Sequence, residues 1–164
     1  MPDYELPEFT RSLRALAVPS APGSDHDRIL KPLIVARTAA SKVQSVDGQV
    51  AAFDAARLER DWREAIVAFA LARHKRSAPD KRALEAELDT LGAPVWNALR
   101  VLHAAGTAAR SATAGDREVA WGTWVLAVQQ VFDAADVWWR DCLPVLGDSR
   151  GRRGSFWRRI LRRS

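Results

Sequence analysis

The sequence predicts an all-α fold: a bundle of about four long helices, one or more kinked at proline. A short N-terminal helix precedes the bundle, and a short amphipathic C-terminal helix follows it on a basic linker. Three observations carry this expectation. Apolar residues recur at three- and four-residue spacing along nearly the whole chain. No segment alternates polar and apolar residues as a half-buried strand would. Proline and glycine cluster between the periodic stretches and punctuate them into segments. The division this suggests is an N-terminal segment 1–23, a helical body 24–146 and a basic Gly/Arg linker with amphipathic tail 147–164.

Each element has its own signals. PEFTRSLRAL places Phe9, Leu13 and Leu16 on one face of a short helix, and VPSAPGSD then breaks it. Ser24 and Asp27 resemble a capping box, so the first long helix is expected to start near Ser24 or Asp25, with Ile29 or Leu30, Leu33, Ala36, Ala40 and Val43 inward. Pro32 conflicts with so early a start, because a proline that deep removes a helical hydrogen bond; a start nearer Arg28 eases it. After Asp47-Gly48 a second helix is expected to run to about His74. Its buried face is Leu58, Trp62, Ala65, Ile66 and Phe69, opposite Arg57, Arg60, Asp61, Arg63 and Glu64.

Ser77-Ala78-Pro79-Asp80 is a stop and restart, with Asp80 as N-cap. The stripe Leu84, Leu88, Leu91, Val95, Leu99, Leu102 then crosses Gly92-Ala93-Pro94 without losing phase. One kinked helix or two abutting ones would fit, and the unbroken stripe favours the kink. A small-residue linker leads to the last long helix, about Asp116 to Leu143, stopped by Pro144. Its stripe holds Trp121, Trp124 or Val125, Val128, Phe132, Ala135, Trp138 or Trp139, and Cys142, while Val119, Leu126 and Val137 lie elsewhere on its girth. A helix apolar on so many sides is expected at the centre of a bundle.

Composition bounds function. The chain has 164 residues, 48% hydrophobic and 27% charged, enough for one domain with a sizeable core. Its net charge of +5 is unevenly placed: residues 148–164 hold seven arginines against Asp148, leaving −1 for residues 1–147. A basic footprint over the whole body, as a nucleic-acid-binding domain shows, is therefore absent. Arginine outnumbers lysine twenty-one to four, a usage that suggests a GC-rich bacterial genome. The start shows no basic and apolar leader, and the longest uncharged apolar run, Val119 to Phe132, contains too few residues to span a bilayer. The expected place is the cytoplasm, with the periphery of a membrane surface as a variant.

No motif of catalysis or metal binding stands out. His26, His74 and His103 have no His or Cys partner at helical spacing, and Glu-x-x-His pairs are missing. His26 between Asp25 and Asp27 reads as a solvated helix start, and His74 as a basic helix end. The single Cys142 reads as a small buried hydrophobe, and Asp133 with Asp136 as a solvent-facing pair. Phosphate-binding glycine motifs are absent. The expectation is a non-enzyme with no catalytic residue, cofactor or metal.

Two features remain. Trp138 and Trp139 are neighbours on a helix and project about 100° apart, so both cannot enter one seam. One of them, or Trp124, is a candidate to line an interface or pocket. The second feature is the terminal SFWRRILRRS. As a helix capped by Ser155 it gathers Phe156, Trp157, Ile160 and Leu161 on one face, with Arg158, Arg159, Arg162 and Arg163 around the rest. With Arg152 and Arg153 of the linker, these residues are the candidate binding surface.

Four fates compete for that tail: docking on a protein partner, folding back on its own bundle, resting on anionic membrane, or contacting nucleic-acid phosphates. A second copy of the chain is a further candidate partner. The expected function is an adaptor or assembly component working through the tail. The alternatives are a nucleic-acid accessory protein and a ligand-binding or enzymatic bundle built on the Trp-rich last helix.

Overall fold

The computed structural model describes residues 25–43, 45–73, 81–143 and 146, and all regular structure among them is helical. The expected N-terminal helix, the Asp80 cap and the whole tail lie outside the described residues. Among the described residues there are six helices: α1 Asp25–Ala40, α2 Val46–Ala52, α3 Ala55–Arg73, α4 Lys81–Leu91, α5 Ala93–Ser111 and α6 Arg117–Asp141.

Helix α1 takes the early start, and Pro32 lies inside it. Ile29, Leu30, Leu33, Ala36 and Ala40 form its buried face. The expected single helix from Gly48 to His74 is instead two. Ser45 caps α2, its hydroxyl accepting from the Gly48 N–H at 3.2 Å. The chain then breaks at Phe53-Asp54. Phe53 turns inward to meet Trp124 edge-on, ring centres 5.8 Å apart. The Asp54 carboxylate accepts from the Arg57 N–H at 2.9 Å, capping the new helix. An aromatic drawn to the core followed by a capping aspartate outweighs helical continuity here.

The stripe across Gly92 is a break and not a kink. Helix α4 ends at Leu91, α5 begins at Ala93, and Pro94 sits in the first turn of α5, where its missing N–H costs nothing. The Leu88 carbonyl accepts from both the Gly92 N–H, at 2.8 Å, and the Trp96 indole N–H, at 3.2 Å. A Cβ on Gly92 would fall 2.7 Å from that carbonyl oxygen and against the Trp96 ring. The φ of −81° suits any residue, so the demand on Gly92 is for space alone.

Helices α5 and α6 form the most extensive pair, an αα-hairpin closed by residues 112–116. Gly106 permits close approach: a Cβ there would lie 2.9 Å from the Val50 side chain of α2. Helix α3 packs on α1, α4 and α5. At their junction Trp62 meets Trp96 and Trp138 edge-to-face, ring centres 5.5 and 5.7 Å apart, a favoured aromatic geometry. The indole N–H groups of Trp62 and Trp138 are buried without a hydrogen-bond acceptor, so the aromatic packing is their environment.

Helix α6 packs most extensively on α5 and also touches α1, while its Trp121 and Trp138 side chains meet Gln49 of α2 and Trp62 of α3. Val119, Leu126 and Val137 remain exposed on its outer side. No helix among the described residues is long and apolar enough to cross a membrane.

Candidate functional site

The two sets of predicted site residues fare differently. Arg152, Arg153 and Phe156 to Arg163 lie outside the described residues. Trp124 and Trp138 are placed in the core, 0% and 2% exposed, and Trp139 is half-buried against it. Trp138 thus takes the seam and Trp139 the flank, which is how two neighbouring tryptophans divide a helix.

The titratable candidates are scattered. His103 is exposed and His74 lies outside the described residues, as does the side chain of His26. Asp133 is exposed, while the half-buried Asp136 pairs with Arg140 one turn on, at 3.0 Å. Cys142 is buried. Desolvation first, and the neighbouring Asp141 carboxylate second, push its thiol from 9.0 up to about 11. At neutral pH it is a protonated thiol, the opposite of an activated nucleophile. Among the described residues no three His, Cys, Asp or Glu side chains converge as metal ligands.

Among the described residues, two of the surface grooves differ in charge. The larger, about 770 Å³, runs between α3 and α4. Ala56, Val67, Ala68, Leu71 and Leu88 give it an apolar floor, and Glu59, Glu64, Glu85 and Asp89 rim it with carboxylates. Arg63 crosses this groove. Its guanidinium donates to Glu59 Oε1 at 3.0 and 3.1 Å and to Asp89 Oδ1 on α4, and it lies 4.2 Å above the Trp96 ring. This is a half-buried cation held by two carboxylates and a π-face, so it fixes the spacing of α3, α4 and α5. Arg60 leans toward Asp61 at 3.3 Å, and Lys81 reaches Glu85 at 4.0 Å, a long and exposed pair that holds little. Glu64 stands exposed on the α3 side.

The smaller groove, about 520 Å³, lies between α1 and α3 over Pro32, Ala36, Leu58 and Ala65. Arg28, Lys31 and Arg57 line it against the single carboxylate of Asp61, so its charge is positive.

Sequence reasoning missed two residues of the molecule's organisation. In the sequence Arg63 reads as one of the charges opposite the buried face, and only its place over the Trp96 ring and beside Asp89 reveals its role. Gln49, 1% exposed, donates to the Val43 carbonyl at 2.9 Å and accepts from the Trp121 indole at 3.4 Å, tying α2 to α6. A polar residue inside Gly-Gln-Val-Ala-Ala was its only signal.

Compared with family models, curated proteins and solved structures, the chain matches none.

Proposed function

We propose that the protein is a non-enzymatic helical adaptor or assembly component whose C-terminal tail docks on a protein partner or another acidic surface. One observation carries the reading. Seven arginines and the apolar face of Phe156, Trp157, Ile160 and Leu161 are concentrated in residues 148–164, beside a body of net charge −1. Apolar anchors ringed by cations are the chemistry of a segment that settles into an apolar groove with an acidic rim. The body supports this division of labour, because Trp62, Trp96, Trp124 and Trp138 are buried in its own core. The scaffold in this reading is a bundle whose long members are α1, α3, α5 and α6. The protein works in the cytoplasm, with an anionic membrane surface as an occasional site.

The test is an affinity capture from lysate comparing full-length protein with a form lacking residues 148–164 and with Trp157→Ala. A partner retained by the full chain and lost from both variants is the expected result. An unchanged set of partners after the deletion overturns the reading. Retention on DNA that falls steeply with salt and vanishes with the tail would replace the protein partner by nucleic-acid phosphates.

A further inference from the structure

We propose that the groove between α3 and α4 is a docking site for residues 155–164 of the same chain, so that the tail is held on its own body until a partner competes for it. The inference rests on the reading of the tail as a docking element.

Chemistry selects this groove. Of its apolar lining, Leu71, Ala56 and Ala68 reach the surface and offer contact to Trp157, Ile160 and Leu161, with Val67 and Leu88 buried beneath them. Glu64 and Glu85 stand on opposite walls, where arginines beside those anchors would meet them. Glu59 and Asp89 are engaged by Arg63, and Glu85 meets Lys81 only in the long, exposed pair at 4.0 Å. With Arg60, Arg63 and Lys81 counted against its four carboxylates the groove is still net −1, against +2 for the α1–α3 groove. Glu64 and Glu85 are its carboxylates most open to a cationic segment. The α1–α3 groove, with Arg28, Lys31 and Arg57, repels the same segment. The exposed line of Val119, Leu126 and Val137 on α6 is broken by Gly122, Thr123 and Gln130. It presents no concave surface to exclude water from an anchor.

Dimensions agree. At 1.5 Å per residue, the α3 wall from Ala56 to Leu71 runs about 22 Å, and ten helical residues need about 15 Å. The described chain last appears at buried Leu146, eight residues after Trp138, which packs on Trp62 on the core side of α3. From there residues 147–154, eight in number, reach roughly 26–29 Å when extended.

The arrangement has a regulatory consequence. A tail occupied by its own groove is available to a partner only in its released fraction, which weakens apparent partner binding by that fraction. Damage to the groove therefore strengthens partner binding, whereas damage to the tail abolishes it.

The experiment is amide hydrogen exchange of residues 155–164 in the full chain, against a synthetic peptide of the same ten residues. The full chain should exchange there at least about tenfold more slowly, as a segment closed about nine-tenths of the time does. Glu64→Lys with Glu85→Lys, both at exposed positions, should remove most of that protection, and Leu71→Glu the rest. Peptide-like exchange in the full chain overturns the inference, as does protection indifferent to both sets of variants. Protection that fades on hundredfold dilution assigns the occupant to a second copy and also overturns it.

The two proposals fail separately. Absent protection with partner capture still lost on tail deletion sinks the groove assignment alone. Groove-dependent protection with partners unchanged by the deletion supports the groove and sinks the adaptor reading.

Discussion

At the scale of single residues, small differences in free space set opposite signs for the same change. Gly92 faces the Leu88 carbonyl and the Trp96 ring, and a methyl there has nowhere to go. Gly122, in the second turn of α6, has no atom of the described residues outside its own stretch of helix within 4 Å of where its Cβ would be. Gly92→Ala is expected to cost about 1–3 kcal/mol, the range for overpacking against fixed atoms. Gly122→Ala should stabilise by about 0.5–1 kcal/mol, because glycine is a poor residue in a helix interior. Thermal melts of the two variants beside wild type check both signs. Cys142 provides a second residue-scale test. Its thiol is held protonated to about pH 11, whereas an unfolded thiol ionises near 9.0. The folded state therefore binds its proton more tightly, and that contribution to stability, complete below pH 9, is lost as pH rises toward 11. Iodoacetamide at pH 8 should label Cys142 slowly in native protein and readily in denaturant.

At the scale of elements, the sequence was most legible where one periodic face meets one partner. The apolar face of α6 and the Leu84–Leu102 stripe appear where the spacing puts them, because packing against a neighbouring helix selects a 3.6-residue period. The breaks were less legible. The stripe keeps its phase through Gly92, yet the crowding between Leu88 and Trp96 that requires a break comes from a contact eight residues apart. Phe53-Asp54 breaks a good helical pattern because Trp124, far along the chain, supplies a site for the Phe53 ring. The apolar girth of α6 suggests a central helix, and its side chains do reach α2 and α3 as well as α5, while Val119, Leu126 and Val137 stay exposed. Of the candidate site, the tail's charge was readable by counting, while the acid-rimmed groove needed the pairing of α3 with α4. Arg63 shows why: its partners Asp89 and Trp96 belong to two other helices. Arg63→Met keeps the stem and removes the charge, so it should loosen that junction by about 1–2 kcal/mol. Paired with Asp89→Asn in a double-mutant cycle by urea denaturation, it reports the coupling directly.

At the scale of the molecule, charge and packing are segregated: a near-neutral helical body stands beside a strongly cationic terminus. The order of its contacts along the chain is uneven as well. Helices α5 and α6 are joined by residues 112–116 and can pair as soon as both exist. Trp62 and Trp138 meet across the length of α4, α5 and most of α6, so their contact must wait for a long loop to close. The Trp62–Trp138 contact therefore acts as a late latch in time as well as a junction in space. Trp138→Phe should raise the unfolding arm of a stopped-flow chevron and leave the folding arm nearly unmoved. How long the folded protein persists would then be set by that latch, and how quickly it forms by the hairpin.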